Sequence, residues 1–144
     1  LKEMCIAVGS QSVVVVIDVK KKLLGGYQVV THNAKKNTKK KLNQYIEKLN
    51  EIGIGEIVIN SVDNDGVMKG YDYKLIDQLR NLTTIPMTIL GGAGELSHVQ
   101  ESVDRYGVIG VAAGSLFVFK GKYKAVLINY PSREKKNEII KKFL

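Results

Sequence analysis

Four short polar segments carry the residues best suited to chemistry, and each follows directly on an apolar run. Two of the segments contain carboxylates, Asp18 and Asp65. The other two contain small residues with unhindered backbone amides, at 91–94 and 114–115. Carboxylates can transfer protons, and backbone amides at the start of a helix can bind an anion. The four segments together predict acid–base chemistry on a phosphorylated substrate.

Asp18 ends the apolar run 13–17, where a carboxylate is costly to bury without a partner or a role. It could be structural, either paired with Lys20 or capping a turn. It could instead be catalytic, since the sites of parallel α/β proteins lie at the carboxyl ends of their strands. The catalytic interpretation is favoured because Asp18 stands at such an end.

Asp65 lies in a Ser-x-Asp-x-Asp-Gly segment that begins at Ser61. Asp63 could hold this segment through Asx-type hydrogen bonds, and Gly66 could adopt a positive φ. Asp65 would then be free to act as a second catalytic carboxylate, with Ser61 contacting the substrate or its phosphate. The alternative is that the whole segment only forms a turn.

Two glycine-containing loops predict a phosphate site. Gly91 and Gly92 follow a predicted strand and precede a predicted helix, so their amides can approach an anion at the positive end of the helix dipole. Gly114 and Ser115 follow the next predicted strand and open a short predicted helix at 115–119. Loops after the last two strands of a (β/α)8 barrel often form one phosphate site. The pair of loops is therefore stronger evidence than either loop alone.

The elements that position these residues alternate between strands and helices. Apolar, β-branched runs predict strands at 13–17, 56–60, 85–90 and 108–113, and a short extra strand at 27–31. Helical periodicity predicts helices at 42–52, from Asp72 onward, at 96–106, and from Ser132 to the C-terminus. Asn37 or Thr38 should cap the first helix, and Gly53 should end it. The order predicts a parallel α/β layer with no domain boundary.

Composition argues against several other classes of protein. The single cysteine, Cys5, excludes a disulfide framework and favours a reducing cytoplasm. The two histidines, His32 and His98, lie far apart, so neither a metal nor another cofactor is expected. The run 13–17 is too short to cross a membrane. The net charge of +8 comes from lysines on predicted helix faces and loops without interleaved aromatic residues, which argues against nucleic-acid binding.

As a set, these motifs resemble a known family. The stretches are Gly9-Ser10-Gln11 before VVVVIDVK, then GEIVINSVDNDGVMKGYD, GGAG and AAGSLFVF, in this order over about residues 8–119. They are similar to the C-terminal half of the cyclase subunit of imidazole glycerol phosphate synthase, an enzyme of histidine biosynthesis. The resemblance implies a (β/α)4 unit that supplies the fifth to eighth strands of a TIM (β/α)8 barrel. Residues 1–144 would then be a single half-barrel domain.

The resemblance also implies an activity and a set of site residues. The family takes ammonia from a glutaminase partner and uses it to cleave and cyclise a bisphosphorylated nucleotide. On this chain, Asp18 matches the catalytic aspartate, Asp65 matches the aspartate that assists it, and Gln11 would lie toward the ammonia path. The family's C-terminal phosphate site is matched by Gly91, Gly92, Gly114 and Ser115.

Three departures qualify this resemblance. The other catalytic aspartate and the other phosphate site of the family belong to the N-terminal half, so the chain alone should be inactive. Asn60 stands where the family usually has threonine, and Leu90 stands where it usually has serine. The segment 120–134 instead resembles cyclase-like paralogues that serve acetamidino modification of sugars in bacterial surface polysaccharides. That paralogue function is the first alternative.

A second alternative is an assembly module without activity of its own. Four parallel strands without the other half of the barrel leave sheet edges and an apolar face open. If Asp18 and Asn60 point into the barrel mouth, the period of two places Val14, Val16 and Val58 on the same face. An exposed apolar patch of this kind normally marks an interface. The expected partners are an N-terminal half barrel or a second copy of the chain.

Overall fold

The computed structural model of the protein describes residues 1–121 and 123–143. Its helices are α1 (Lys2–Val8), α2 (Leu42–Ile52), α3 (Tyr73–Arg80), α4 (Leu96–Tyr106), α5 (Ser115–Val118) and α6 (Arg133–Ile140), with 3₁₀ turns at Ser10–Ser12 and Lys141–Phe143. Its strands are β1 (Val14–Lys21), β2 (Tyr27–Thr31), β3 (Lys36–Asn37), β4 (Glu56–Ser61), β5 (Met87–Leu90), β6 (Gly110–Val111), β7 (Phe119–Lys120) and β8 (Ala125–Val126). No helix in the described part of the chain is both long enough and apolar enough to cross a membrane. Lys122 in the tail and Leu144 at the end of the last predicted helix lie outside the described residues.

The main sheet has six strands in the order β3-β2-β1-β4-β5-β6. β1, β4, β5 and β6 are parallel, as predicted, and α2, α3 and α4 lie in the connections between them. β1 extends beyond the predicted 13–17 because its C-terminal half also pairs, antiparallel, with the extra strand β2. β7 and β8 form a separate antiparallel hairpin in the tail. The protein is therefore an α/β protein built on a parallel sheet.

Two strands are shorter than predicted. β5 begins at Met87 and not at residue 85, because Pro86 has no N–H to give to the ladder, although its carbonyl accepts from Ile57. β6 comprises only Gly110–Val111 of the predicted 108–113. β6 is the edge strand, so a single neighbour holds it, and Val108 before it is 87% exposed.

Three helix termini follow the local sequence signals. Gly53 ends α2 in the left-handed conformation with φ 72°, as predicted. Asp72 caps α3, where its carboxylate accepts a hydrogen bond from the Leu75 amide at 3.2 Å. Ser132 caps α6 through its side-chain oxygen. The residues at each of these three termini therefore determine where the helix begins or ends.

α2 begins at Leu42 as predicted, but its predicted N-cap is wrong. Neither Asn37 nor Thr38 caps the helix, whose N-cap residue is Lys41 without a capping hydrogen bond from its side chain. Asn37 belongs to β3, and the Thr38 hydroxyl donates to the carbonyl of Val29 at 2.9 Å. Pairing with β2 therefore takes both polar side chains away from the helix.

The core lies between the sheet and one layer of helices. Side chains alternate along β1, so that Val15, Ile17 and Val19 are buried while their neighbours are not. The other core residues of β4, β5, α2 and α3 are Ile57, Ile59, Met87, Ile89, Leu42, Ile46, Leu49, Leu75, Ile76 and Leu79. Burial of this one face holds the sheet against its helices.

The opposite face of the sheet is open in the described part of the chain. Val14 and Val16 are 50% and 62% exposed, and Val58 beside Val16 is only partly buried. Asp18 and Asn60 continue the same alternating rows. The prediction that these residues share one face is confirmed. We call this surface, formed by Val14, Val16, Asp18, Val58 and Asn60, the open face.

Candidate active site at the carboxyl ends of the strands

Asp18 and Asn60 are neighbours at the top of the open face. They are register partners on β1 and β4, and the Asn60 amide donates from Nδ2 to Asp18 Oδ1 at 2.9 Å. Among the described residues, no ion pair joins Asp18 to Lys20. The structure therefore does not support a purely structural role for Asp18 as the partner of Lys20. The Asn60 bond occupies Oδ1 and leaves Oδ2 for another group. Asp18 is thus an oriented carboxylate on the open face.

The turn after β4 presents Asp65 to solvent. The carbonyl of Ser61 accepts hydrogen bonds from the amides of Asn64 and Asp65, at 3.1 and 2.9 Å, which closes the turn. Gly66 has the predicted positive φ of 74°. Asp65 is exposed, and only its backbone takes part in these bonds. Its carboxylate is therefore free for a ligand.

Two other residues of this turn differ from their predicted surroundings. The Asp63 carboxylate does not bond to its own turn but accepts from the Lys21 amide at 2.6 Å, which fastens the turn to β1. Ser61 is only 4% exposed. It lies on the same side of β4 as Ile57 and Ile59, so its side chain faces the helices. The structure therefore does not bring the Ser61 hydroxyl together with Asp18.

The glycine loop 91–94 packs against the turn after β4. The Gly70 amide donates to the Gly92 carbonyl at 2.9 Å, and the Asn64 side chain donates to the Gly70 carbonyl at 3.1 Å. Gly92 has φ 117°, and a Cβ there would overlap the Gly70 carbonyl. A Cβ at Gly91 would lie 2.6 Å from the Ser61 carbonyl oxygen. Close backbone packing therefore requires these glycines, independently of any anion.

Gly114 and Ser115 belong to the loop beside the glycine loop. β5 and β6 are register neighbours, so the segments that follow them leave the same edge of the sheet. Gly114 is exposed, its φ is −104°, and a Cβ there would meet nothing within 4 Å. Ser115 opens the short helix α5, close to its predicted extent. An anion can approach this loop without displacing a side chain.

The order of the parallel strands brings the predicted residues to one edge. Asp18 lies on β1 beside Asn60, near the carboxyl end of β4, and the turn with Asp65 follows β4. The loop 91–94 follows β5, and Gly114 lies in the segment after β6. Gln11 lies at the other end, in the 3₁₀ turn before β1, where its backbone packs against Gly55 so closely that a Cβ would not fit. The carboxylates and the glycine amides thus share one edge, and Gln11 is at the opposite one.

A buried polar cluster lies beside this edge. The sequence predicts only one feature of it, the role of Asp72 as the cap of α3. Asp72 is 7% exposed, and its Oδ1 accepts from the Tyr27 hydroxyl at 2.9 Å. Lys21 Nζ lies 3.0 Å from Asp72 Oδ2. Burial, together with the hydrogen bond to Asp72, raises the pKa of the Tyr27 hydroxyl above its ordinary value. The cluster ties the β1–β2 hairpin to the start of α3.

Replacing Tyr27 with phenylalanine should lower the free energy of unfolding by about 1.5–3 kcal/mol, because Asp72 loses a hydrogen bond while the ring stays in place. The raised pKa means that the folded state holds the Tyr27 proton more tightly than the unfolded state. The contribution of Tyr27 to stability should therefore be constant below about pH 10 and fall as the pH rises above it. Denaturant unfolding from pH 7 to 11 measures both effects. Tyr123→Phe, at a 91% exposed position, is the control. Equal losses in the two variants would contradict the role of the cluster.

Within the described residues, no group of three or more His, Cys, Asp or Glu side chains could hold a metal ion. The chemistry available at the edge is that of carboxylates, an amide side chain and backbone N–H groups. Such an edge can orient an anionic substrate on the amides and transfer protons through a carboxylate.

Comparison with known proteins identifies relatives of this chain. A family model described as "Histidine biosynthesis protein" matches residues 1–124. A Leptospira borgpetersenii protein, named provisionally as imidazole glycerol phosphate synthase subunit HisF, is 52% identical over 125 residues, which cover 86% of this chain and 49% of that protein. A Leptospira interrogans protein with the same name is 48% identical over 140 residues, 96% of this chain and 55% of its own length.

A third relative carries the same subunit name. Imidazole glycerol phosphate synthase subunit HisF of Chlorobaculum parvum is 38% identical over 112 residues, 78% of this chain and 44% of its own length. The chain thus spans about half the length of the curated relatives it matches. These names favour the cyclase interpretation over the alternatives of a sugar-modifying paralogue and an inactive assembly module.

Proposed function

The chain belongs to the histidine biosynthesis protein family, and from this premise we propose that it is the C-terminal half of an imidazole glycerol phosphate synthase cyclase subunit. Residues 1–144 form one domain, a (β/α)4 unit whose parallel strands are the fifth to eighth of a (β/α)8 barrel. The match to about half of each relative supports this proposal. So does the face with Val14, Val16 and Val58, which is open in the described part of the chain, because the corresponding face of a closed barrel is its interior.

One observation carries the proposed activity: an oriented carboxylate and two glycine loops meet at one edge of the sheet. In the complete barrel, ammonia from a glutaminase subunit reacts with a bisphosphorylated nucleotide, which is cleaved and cyclised to give imidazole glycerol phosphate and an aminoimidazole carboxamide ribotide. The amides at Gly92 and Ser115 hold one phosphate, and Gly91 and Gly114 let it approach. The N-terminal half supplies the second catalytic carboxylate and the second phosphate site, so the chain alone is inactive.

Asp18 transfers the proton in this proposal. Asn60 donates to Oδ1 of Asp18 and so directs the carboxylate, with Oδ2 left for the substrate. Barrel closure would remove water from the open face and strengthen the interactions of Asp18 with the substrate. Asp65 assists from the neighbouring turn, and Ser61 supports that turn through its carbonyl. Gln11 lies at the amino end of the strands, which suits a path for ammonia through the barrel.

The experiment that tests this function uses the complete barrel, meaning the chain together with an N-terminal half barrel. The Leptospira borgpetersenii relative supplies a sequence for that half. Ammonium-dependent formation of imidazole glycerol phosphate from the bisphosphorylated nucleotide is the expected result. Failure of the complete, folded barrel to bind the nucleotide would contradict the proposal.

Gly114→Asp should weaken binding of inorganic phosphate by about tenfold or more, because it sets a negative charge beside the proposed anion site. Gly114→Ala is the matched control and should bind normally, since a Cβ there meets open space. A change at Gly92 would be less informative, because any side chain there overlaps the Gly70 carbonyl. Isothermal titration with phosphate measures the difference. Equal affinity in the aspartate variant and the wild type would argue that phosphate binds elsewhere.

A further inference from the structure

His98 lies in the first turn of α4 and is bonded to the glycine loop. Its Nδ1 accepts a hydrogen bond from the backbone amide of Gly94 at 3.1 Å. A backbone amide can only donate, so Nδ1 carries no proton and the imidazole is neutral with its proton on Nε2. The bond therefore requires one tautomer of His98.

This bond ties the first turn of α4 to the glycine loop. α4 follows Glu95, whose side chain makes no capping hydrogen bond. The ring of His98 instead reaches back over the start of the helix to Gly94, the last residue of the glycine loop. The Gly94 amide is consequently already paired and is not a donor for an anion.

The His98 ring is held at the junction of the two loops. A Cβ at Gly70 would lie 3.8 Å from Cδ2 and 3.9 Å from Nε2 of the ring, so the ring packs beside the turn after β4. The His98 carbonyl accepts from the hydroxyls of Ser102, at 2.9 Å, and Tyr73, at 3.3 Å. These contacts from α3 and α4 keep the position of His98 fixed relative to the loop.

We propose that His98 is a positioning residue for the phosphate loop. Its neutral imidazole fixes Gly94 and thereby aims the preceding amides, at Gly92 and Ala93, toward the anion. The inference rests on the proposed phosphate site and adds the residue that holds the site in its binding conformation. It predicts that phosphate affinity depends on a hydrogen-bond acceptor at the δ position of residue 98.

Two variants of the 144-residue chain separate this role from simple packing. His98→Asn keeps an acceptor near the place of Nδ1, whereas His98→Leu fills similar space without one. Titration with inorganic phosphate should show a loss of about five- to tenfold for the leucine variant and a change within about twofold for the asparagine variant. Thermal melts of both variants verify that they are folded.

A spectroscopic measurement on the wild type keeps the inference testable if the leucine variant does not fold. The chain has only two histidines, so the ¹⁵N signals of His98 can be assigned with the help of a His32→Gln variant. Near neutral pH, an unprotonated Nδ1 is expected, and a protonated Nδ1 would overturn the inference. Wild-type binding that survives unchanged in the leucine variant would overturn it as well. Absence of phosphate binding by the wild type would instead reject the proposed phosphate site and this inference with it.

Discussion

Asp18→Asn in the complete barrel should lower turnover by about 10²–10⁴-fold and leave the fold intact, because general acid–base catalysis contributes about that factor. An asparagine at residue 18 has the same shape and can still accept the hydrogen bond from Asn60 through its carbonyl oxygen. It cannot take up a proton from the substrate. Steady-state rates with ammonium and the bisphosphorylated nucleotide give the effect, and circular dichroism verifies the fold.

Two aspartates of the neighbouring turn serve as comparisons for Asp18. Asp65→Asn should lose less activity, about tenfold, because its carboxylate only assists. Asp63→Ala should lower stability and not turnover, since it removes the carboxylate that accepts from the Lys21 amide and fastens the turn to β1. Near-normal turnover in the Asp18 variant would assign Asp18 a structural role. A loss of stability instead of turnover at Asp65 would favour the interpretation that its segment is only a turn.

Val16→Asp should raise the dissociation constant of the chain's assembly by about 100-fold or more, because an unpaired carboxylate is costly to bury. Val16 is 62% exposed at the centre of the open face, with Val58 beside it. An apolar surface of this kind needs a cover, which is either a second copy of the chain or an N-terminal half barrel. Size-exclusion chromatography with light scattering over a range of concentrations measures the association.

The control for this experiment is Leu24→Asp. Leu24 is fully exposed in the turn between β1 and β2, away from the open face. It should leave the association unchanged. A wild-type chain that stays a monomer with a cooperative melt, or a Val16 variant that associates as well as the wild type, would contradict the role of the open face.

The sequence predicts the face of each strand better than its ends. The period of two places Val14, Val16 and Val58 with Asp18 and Asn60, and the structure agrees, because every residue of a strand obeys the same alternation. The end of β1 depends on pairing with β2, which no local pattern encodes. The end of α2 at Gly53 follows from the local sequence, whereas pairing with β2 removes the predicted capping residues, Asn37 and Thr38, from its start.

The polar contacts beside the site could not be predicted for a related reason. Tyr27 and Asp72 are separated by 45 residues, and nothing near either one indicates the other. The ring of His98 bonds to the backbone of Gly94, and a backbone partner leaves no mark in a sequence motif. The face on which Ser61 lies, by contrast, could be predicted from the sequence. Ser61 directly follows Asn60 along β4, and neighbouring residues of a strand point to opposite faces.

Asp18 and the glycine loops form, we propose, one site for one substrate. A crystal structure of the complete barrel with the bisphosphorylated nucleotide tests it most directly. We expect one phosphate on the amides of Gly92 and Ser115, and the carboxylate of Asp18 in contact with the part of the nucleotide that reacts. A nucleotide bound with its phosphates away from both loops, or with Asp18 out of contact, would contradict the claim.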